Sequence, residues 1–313
     1  MSLLGIDLGG TKLAAGVFSK DGNLLYKEER QLAGKGGRDV GRLVTDTIQL
    51  FLQSQHAPIE AIGISVPGIS NRKNDTVWAP NIPGWDQYPL LNEVKSIAGQ
   101  IRVSVDSDRS CYILGEMWQG NAKGCDNAIF IAVGTGIGAG IVSDGRVVHG
   151  ANDIAGAIGW MGLQQPYRQE YVECGCFELN ASGAGLAKMA LKYIADDQSY
   201  NGRLKQQQNI TAHDVIAAYD VNDAVAMKVI DNAIVHWAMA TANLISIFNP
   251  EKIILGGGVF GPAVRFIPAI QKEMMKWAQP ISAQQVSVEQ SLLGGSAGIY
   301  GAGYLALQLL ADK

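Results

Sequence analysis

The sequence predicts an α/β protein made by duplication: two related lobes, each a mixed sheet covered by helices, with a cleft between them. Three observations carry this expectation. The first is an internal echo. Residues 3–27 (LLGIDLGGTKLAAGVFSKDGNLLYK) and 128–148 (AIFIAVGTGIGAGIVSDGRVV) each read as strand, glycine turn, strand, Asp-Gly turn, strand. The second is size: 313 residues are more than one core ordinarily serves, and a hydrophobic share of 47% can fill two. The third is glycine, 38 of 313 residues or about 12%, against a usual share near 7%. Such an excess asks for many tight turns or close backbone approaches to a ligand.

The elements follow in order. Asp21-Gly22 and Asp144-Gly145 are hairpin signals that close each meander. After the first meander, apolar residues at Val40, Leu43, Val44, Ile48 and Phe51 recur at helical spacing. A strand is expected at 61–66, a helix at 90–97, a strand at 101–106, and a helix from residue 107 onward. After the second meander come helices near 181–197, 211–220 and 222–248, with Thr211 and Asn222 as N-caps of the last two. A strand at 252–255 runs into Gly256-Gly257-Gly258, followed by a helix, a strand at 286–289 and a final helix. The expected lobes are 1–119 plus 293–313, the smaller, and 120–292, the larger.

Composition excludes several classes. The formal charge is −4 with no basic stripe, so no nucleic-acid partner is expected. Apolar runs such as 128–133 are far too short to span a bilayer, so no membrane partner is expected. No basic segment with a cleavable apolar stretch opens the chain, and four cysteines (Cys111, Cys125, Cys174, Cys176) form no disulfide framework. The expected location is the cytoplasm.

Four glycine turns follow strands: Gly9-Gly10-Thr11, Pro67-Gly68, Gly134-Thr135-Gly136 and Gly256-Gly257-Gly258. Any one alone reads as a hairpin turn. Four together, two with threonine and one followed by Lys12, point to a polyphosphate site, because glycine lets backbone N–H groups crowd an anion. A Walker loop is absent, and GGGVFG at 256–261 lacks the downstream acidic residue of a dinucleotide fold. Two carboxylates stand out. Asp7 interrupts an apolar strand beside a glycine turn, a costly place unless it is paired, hydrated or facing a cation. Asp108 opens a helix, where an aspartate serves either as N-cap or as a reactive group, and the residues alone leave both open.

Taken jointly, GIDLGGTK (5–12), GISVPG (63–68), VDSDRS (105–110), GTGIGAG (134–140), GANDIAG (150–156) and ILGGGV (254–259) resemble the ROK family (repressors, open reading frames and kinases) over nearly the whole chain. The resemblance implies the two-lobed actin-like (ribonuclease H-like) fold, transfer of the γ-phosphoryl of ATP to a sugar hydroxyl in the interlobe cleft, and a homodimer. It implies Asp108 as the base and Asp7 as organiser of Mg²⁺ through water. Gly9, Gly10, Thr11 and Lys12 would line the phosphates, Thr135 and Gly136 would form a second phosphate loop, and Gly256, Gly257 and Gly258 would face the adenosine. Gly68, Asn81, Ser107, Asp108, Glu178 and Trp160 stand on the sugar side. Family repressors carry an extra N-terminal segment, and a first strand at residue 3 implies the kinase branch.

The departures also lie on the sugar side. The family's glycine-glutamate-x-glycine-histidine reads Gly156-Ala157-Ile158-Gly159-Trp160 here. The zinc-binding cysteine cluster is reduced to Cys174 and Cys176, which even with His149 or Glu173 is a poor start for a closed four-ligand site, so no structural zinc is expected. Trp160 is read as a core residue taking over the metal's structural role, with a platform stacking on a sugar face as the other reading. Losing two hydrogen bonds to charged groups, each about 1.5–3 kcal/mol, costs roughly 10²–10⁴ in efficiency unless the substrate differs. An altered acceptor is therefore expected, with a non-catalytic sugar or nucleotide sensor as the alternative.

Overall fold

A computed structural model describes residues 2–54 and 58–311. The chain divides into two compact units. The first is built from residues up to 124, 149–155 and 295 onward; the second from 125–148 and 156–294.

The first unit holds a sheet of β1 (Ser2–Leu8), β2 (Lys12–Phe18), β3 (Leu24–Gln31), β4 (Ile59–Val66) and β7 (Arg102–Ser107), ordered β3-β2-β1-β4-β7. A side hairpin, β5 (Ile69–Asn71) and β6 (Thr76–Trp78), follows β4. The first three strands form the antiparallel meander, and β4 and β7 then add in parallel. Both faces of the sheet are covered, which is why β1 reads as a continuous apolar run rather than an alternation. Leu4, Ile6, Ile62 and Ile64 pack on one face with α1 (Gly37–Gln53) and α2 (Leu90–Ala98). Leu3, Phe18 and Ala61 pack on the other, against the C-terminal helix Ala297–Ala311. Gly63 exists because that helix comes so close: a β-carbon there would overlap the Ala302 carbonyl oxygen. Gly301 likewise lets the C-terminal helix meet α3 (Asp108–Gln119), touching the Cys111 carbonyl.

The second unit repeats the plan. Its sheet comprises β8 (Ala128–Val133), β9 (Ile137–Ser143), β10 (Arg146–Val147), β11 (Lys252–Gly256) and β12 (Ser287–Gln290), ordered β10-β9-β8-β11-β12. Again a meander is extended by two parallel strands. Its helices are α4 (Tyr171–Cys174), α5 (Cys176–Ala181), α6 (Gly183–Asp196), α7 (Ala212–Tyr219), α8 (Ala224–Phe248), α9 (Ile267–Met274) and α10 (Pro280–Gln285). The expected helix at 181–197 starts at residue 183, because Ser182 leaves the helical conformation and caps α6 by accepting from the Gly185 N–H. Thr211 caps α7 in a capping box with Asp214, as expected. The cap of α8 is Asp223 rather than Asn222: its carboxylate accepts from the Val225 and Ala226 N–H groups, while Asn222 takes a left-handed turn at φ +57°.

Residues 149–155 group with the first unit, held there by Asp153 to Arg72 and by His149 Nε2 to Asp106 Oδ2 at 2.7 Å. Among the described residues no helix is long and apolar enough to cross a membrane.

Candidate active site

In the first unit the parallel register gathers polar groups at the carboxyl ends of the strands. Asp7 of β1 lies beside Ser65 of β4, which in turn lies beside Asp106 of β7. The Ser65 hydroxyl donates to Asp7 Oδ1 at 2.7 Å. Burial raises the Asp7 pKa above the usual carboxylate range, opposed by that hydrogen bond and by the charge of Lys12. Asp108 follows β7 as the first residue of α3, and the cap is Ser107, whose side chain accepts from the Ser110 N–H. Asp108 is thus not the helix cap. Its Oδ1 takes the Arg109 N–H at 2.8 Å and its Oδ2 the Tyr112 hydroxyl at 3.4 Å. Burial pushes its pKa up to about 6, opposed by Arg109 and reinforced by the negative charge of Asp7.

The turn between β1 and β2 is closed by the Gly9 N–H to the Lys12 carbonyl at 2.8 Å. Thr11 and Lys12 are exposed, and Gly10 faces Asn81. The Lys12 ammonium pairs with Glu29 at 3.0 Å, a cross-strand partner absent from the sequence reading. Lys27 and Lys12 together hold the Glu29 carboxyl down to about 2. Gly68 has φ +133° and fits against the Trp78 carbonyl, so glycine is required there. Ser107, assigned to the sugar side, is buried and its hydroxyl is engaged by Ser110.

In the second unit β11 pairs in parallel with β8, with Gly256 opposite Ala132. That register sets the two remaining glycine turns side by side, and the Val259 N–H donates to the Val133 carbonyl at 3.0 Å. Gly257 has φ +89° and no room for a β-carbon against Val133. Gly257 and Gly258 are exposed, as is Thr135. The start of α6 docks on the other turn, through the Gly183 N–H to the Gly134 carbonyl. Glu178, on α5, is half-buried and accepts the Ile137 N–H at 2.6 Å. Burial raises its pKa. Gly136 and Gly159 both lie against its carboxylate, so Glu178 adjoins the Gly134-Thr135-Gly136 turn and the rewritten motif at once.

Trp160 corrects an expectation. It is 59% exposed, not part of the core. The short 3₁₀ turn Ile158–Trp160 buries Ile158 and Gly159 and leaves the indole outside.

A water-mediated Mg²⁺ fits Asp7: Oδ1 is taken by Ser65, and Oδ2 makes no hydrogen bond among the described residues. The donors do not fit a structural zinc. His149 belongs to the first unit and is bound there to Asp106, Glu173 pairs with Lys188, and Cys176 is buried. No group of three or more His, Cys, Asp or Glu is placed to hold a metal among the described residues. Sequence reasoning missed Ser65, Asp106 and Tyr112. Asp106 and Ser65 each lay inside a motif the sequence offered, VDSDRS and GISVPG.

Two repeated sheets, each with glycine turns at the carboxyl ends of its strands, define a duplicated α/β protein. The ROK family profile matches residues 3–309, and the chain belongs to the ROK family. It is 31% identical over 315 residues to a glucokinase of Halalkalibacterium halodurans, covering 97% of this chain and 94% of that one. Its structure is similar to a ROK hexokinase from Thermus thermophilus, with a TM-score of 0.83, 26% identity and 100% of each chain covered. It is also similar to a ROK glucokinase from Streptomyces griseus in complex with glucose and AMPPNP, with a TM-score of 0.76, 27% identity, and 98% of this chain and 100% of that one covered. The fold is that of actin-like sugar kinases.

Proposed function

We propose that this chain is an ATP-dependent sugar kinase in which Asp108 activates a hydroxyl of a hexose or hexose derivative. The observation that carries the assignment is Asp108 itself: a carboxyl with a pKa near 6, not spent on capping because Ser107 does that work. A base of that pKa is ionised at neutral pH yet basic enough to accept a proton. Asp108 takes the hydroxyl proton as the oxygen bonds to the γ-phosphorus, and the bond from that phosphorus to the ADP oxygen breaks.

The first turn, Gly9 to Lys12, and the second, Thr135-Gly136, hold phosphates, and Gly256 to Gly258 face the adenosine. Asp7 would hold magnesium through water, and the ion would supply charge neutralisation. Glu178 and Asn81 bond sugar hydroxyls. A cytoplasmic homodimer belongs to the same reading, and light scattering on the purified chain tests the dimer.

Sugar-dependent ADP release with Mg-ATP tests the chemistry, using glucose, amino sugars, N-acetyl sugars and β-glucosides, with Asp108→Asn as control. Turnover with one acceptor, lost in the variant, is expected. Sugar binding without turnover on any acceptor would replace the kinase with a sensor.

A further inference from the structure

The exposed Trp160 borders a cavity of about 770 Å³ that lies wholly within the second unit. Its walls include Trp160, Tyr167, Tyr171 and Val172, with Gln164 and Gln165 beside them. That volume falls in the range of small-molecule sites, which are typically apolar with a few placed polar groups. Two of the rings are largely uncovered, Trp160 at 59% and Tyr167 at 68% exposure. Tyr167 meets Tyr171 edge-to-face at 5.8 Å, forming an aromatic corner rather than scattered rings.

The chemistry of the walls selects an occupant. A pyranose presents an apolar face of C–H groups, which seats on the electron-rich face of an aromatic ring. Around its edge it presents hydroxyls, which side-chain amides bond as donor and acceptor at once. Aromatic faces beside two glutamines match that pattern, whereas a bare hydrocarbon would leave the amides unused. The cavity also shares elements with the sugar side of the site. Cys176 on its wall begins α5, and Glu178 lies two residues further along the same helix. Gly159 packs on the Glu178 carboxylate, and the next residue is Trp160.

We propose that this cavity is an accessory subsite for a second pyranose ring, so that the preferred acceptor is a disaccharide or similar glycoside whose phosphorylated ring is held at Glu178. The inference rests on the kinase reading for the first ring and on the cavity for the second. It accounts for the rewritten motif: the position that carries the family's histidine here carries a ring facing this cavity.

The test uses the purified full chain with glucose, cellobiose and phenyl β-glucoside. Two readouts are taken: kcat/KM with Mg-ATP, and tryptophan fluorescence on titration without nucleotide. Cellobiose is expected to exceed glucose in kcat/KM. Tyr167→Ala is expected to lower the cellobiose-to-glucose ratio about 3- to 10-fold, the worth of one aromatic contact. Tyr167→Phe should keep the ratio. Tyr167 is exposed, so its loss leaves the fold standing. Glucose turnover with a ratio unmoved by Tyr167→Ala overturns the subsite and leaves the kinase. A gain for phenyl β-glucoside with none for cellobiose overturns the pyranose assignment. Cellobiose binding that depends on Tyr167, with no turnover of any sugar, supports the cavity and overturns the kinase reading. Neither binding nor turnover overturns both.

Discussion

Asp108 serves two opposed demands. Burial that makes it a usable base also makes its ionised form costly. Below about pH 6 it is protonated, so kcat/KM is expected to fall about tenfold per pH unit there and to level off above, measured from pH 5 to 9. Asp108→Asn should lower kcat by about 10²- to 10⁴-fold. A carboxyl whose folded pKa lies above its unfolded value favours folding when protonated, and ionisation weakens the fold as pH rises. The neutral amide escapes that penalty. The variant's melting temperature at pH 8 should therefore equal or exceed that of the natural chain, by scanning calorimetry. Glu178→Gln removes a charged hydrogen-bond acceptor and should raise the sugar KM roughly 10- to 100-fold. The pairing of Lys12 with Glu29 escapes a sequence reading because it depends on the β2–β3 register, which no motif encodes.

At the scale of elements, the position of Asp108 is set by a cap and by a helix contact. Ser107→Ala should cost about 1 kcal/mol by denaturant unfolding, through loss of the cap. Gly301→Val should cost more, about 1–3 kcal/mol or above, because the new side chain has no space against Cys111. Pushing α3 from the C-terminal helix should also lower turnover. The meanders were legible because Asp-Gly turns and apolar runs are local signals; both appear where expected. Thr211 was legible for the same reason. Asn222 was not, since the choice between it and Asp223 turns on one residue's backbone angle. The alignment of Asp7, Ser65 and Asp106 arises only when strands distant in sequence pair in parallel. Trp160 was misjudged because a large aromatic side chain favours burial in general, while a three-residue turn decides which side it faces.

For the whole molecule, duplication gives two sheets of the same order. A nucleotide analogue and a sugar, each at a hundredfold excess over its dissociation constant, should each add about 2.7 kcal/mol to unfolding stability. AMPPNP alone, glucose alone and both together, followed by thermal melting, check this; the absence of any shift with AMPPNP would remove the nucleotide from the proposal.

The first unit draws on three separate stretches, the last beginning at Gly295. During synthesis its sheet and α3 emerge early, but the helix that covers one face of that sheet emerges only after the second unit. The second unit is complete in sequence by Gly294, before that helix exists. The order of maturation is therefore reversed relative to the usual N-terminal-first rule. Until that helix emerges, the nascent first unit presents Leu3, Phe18 and Ala61 to the surroundings, an apolar face that a chaperone would recognise.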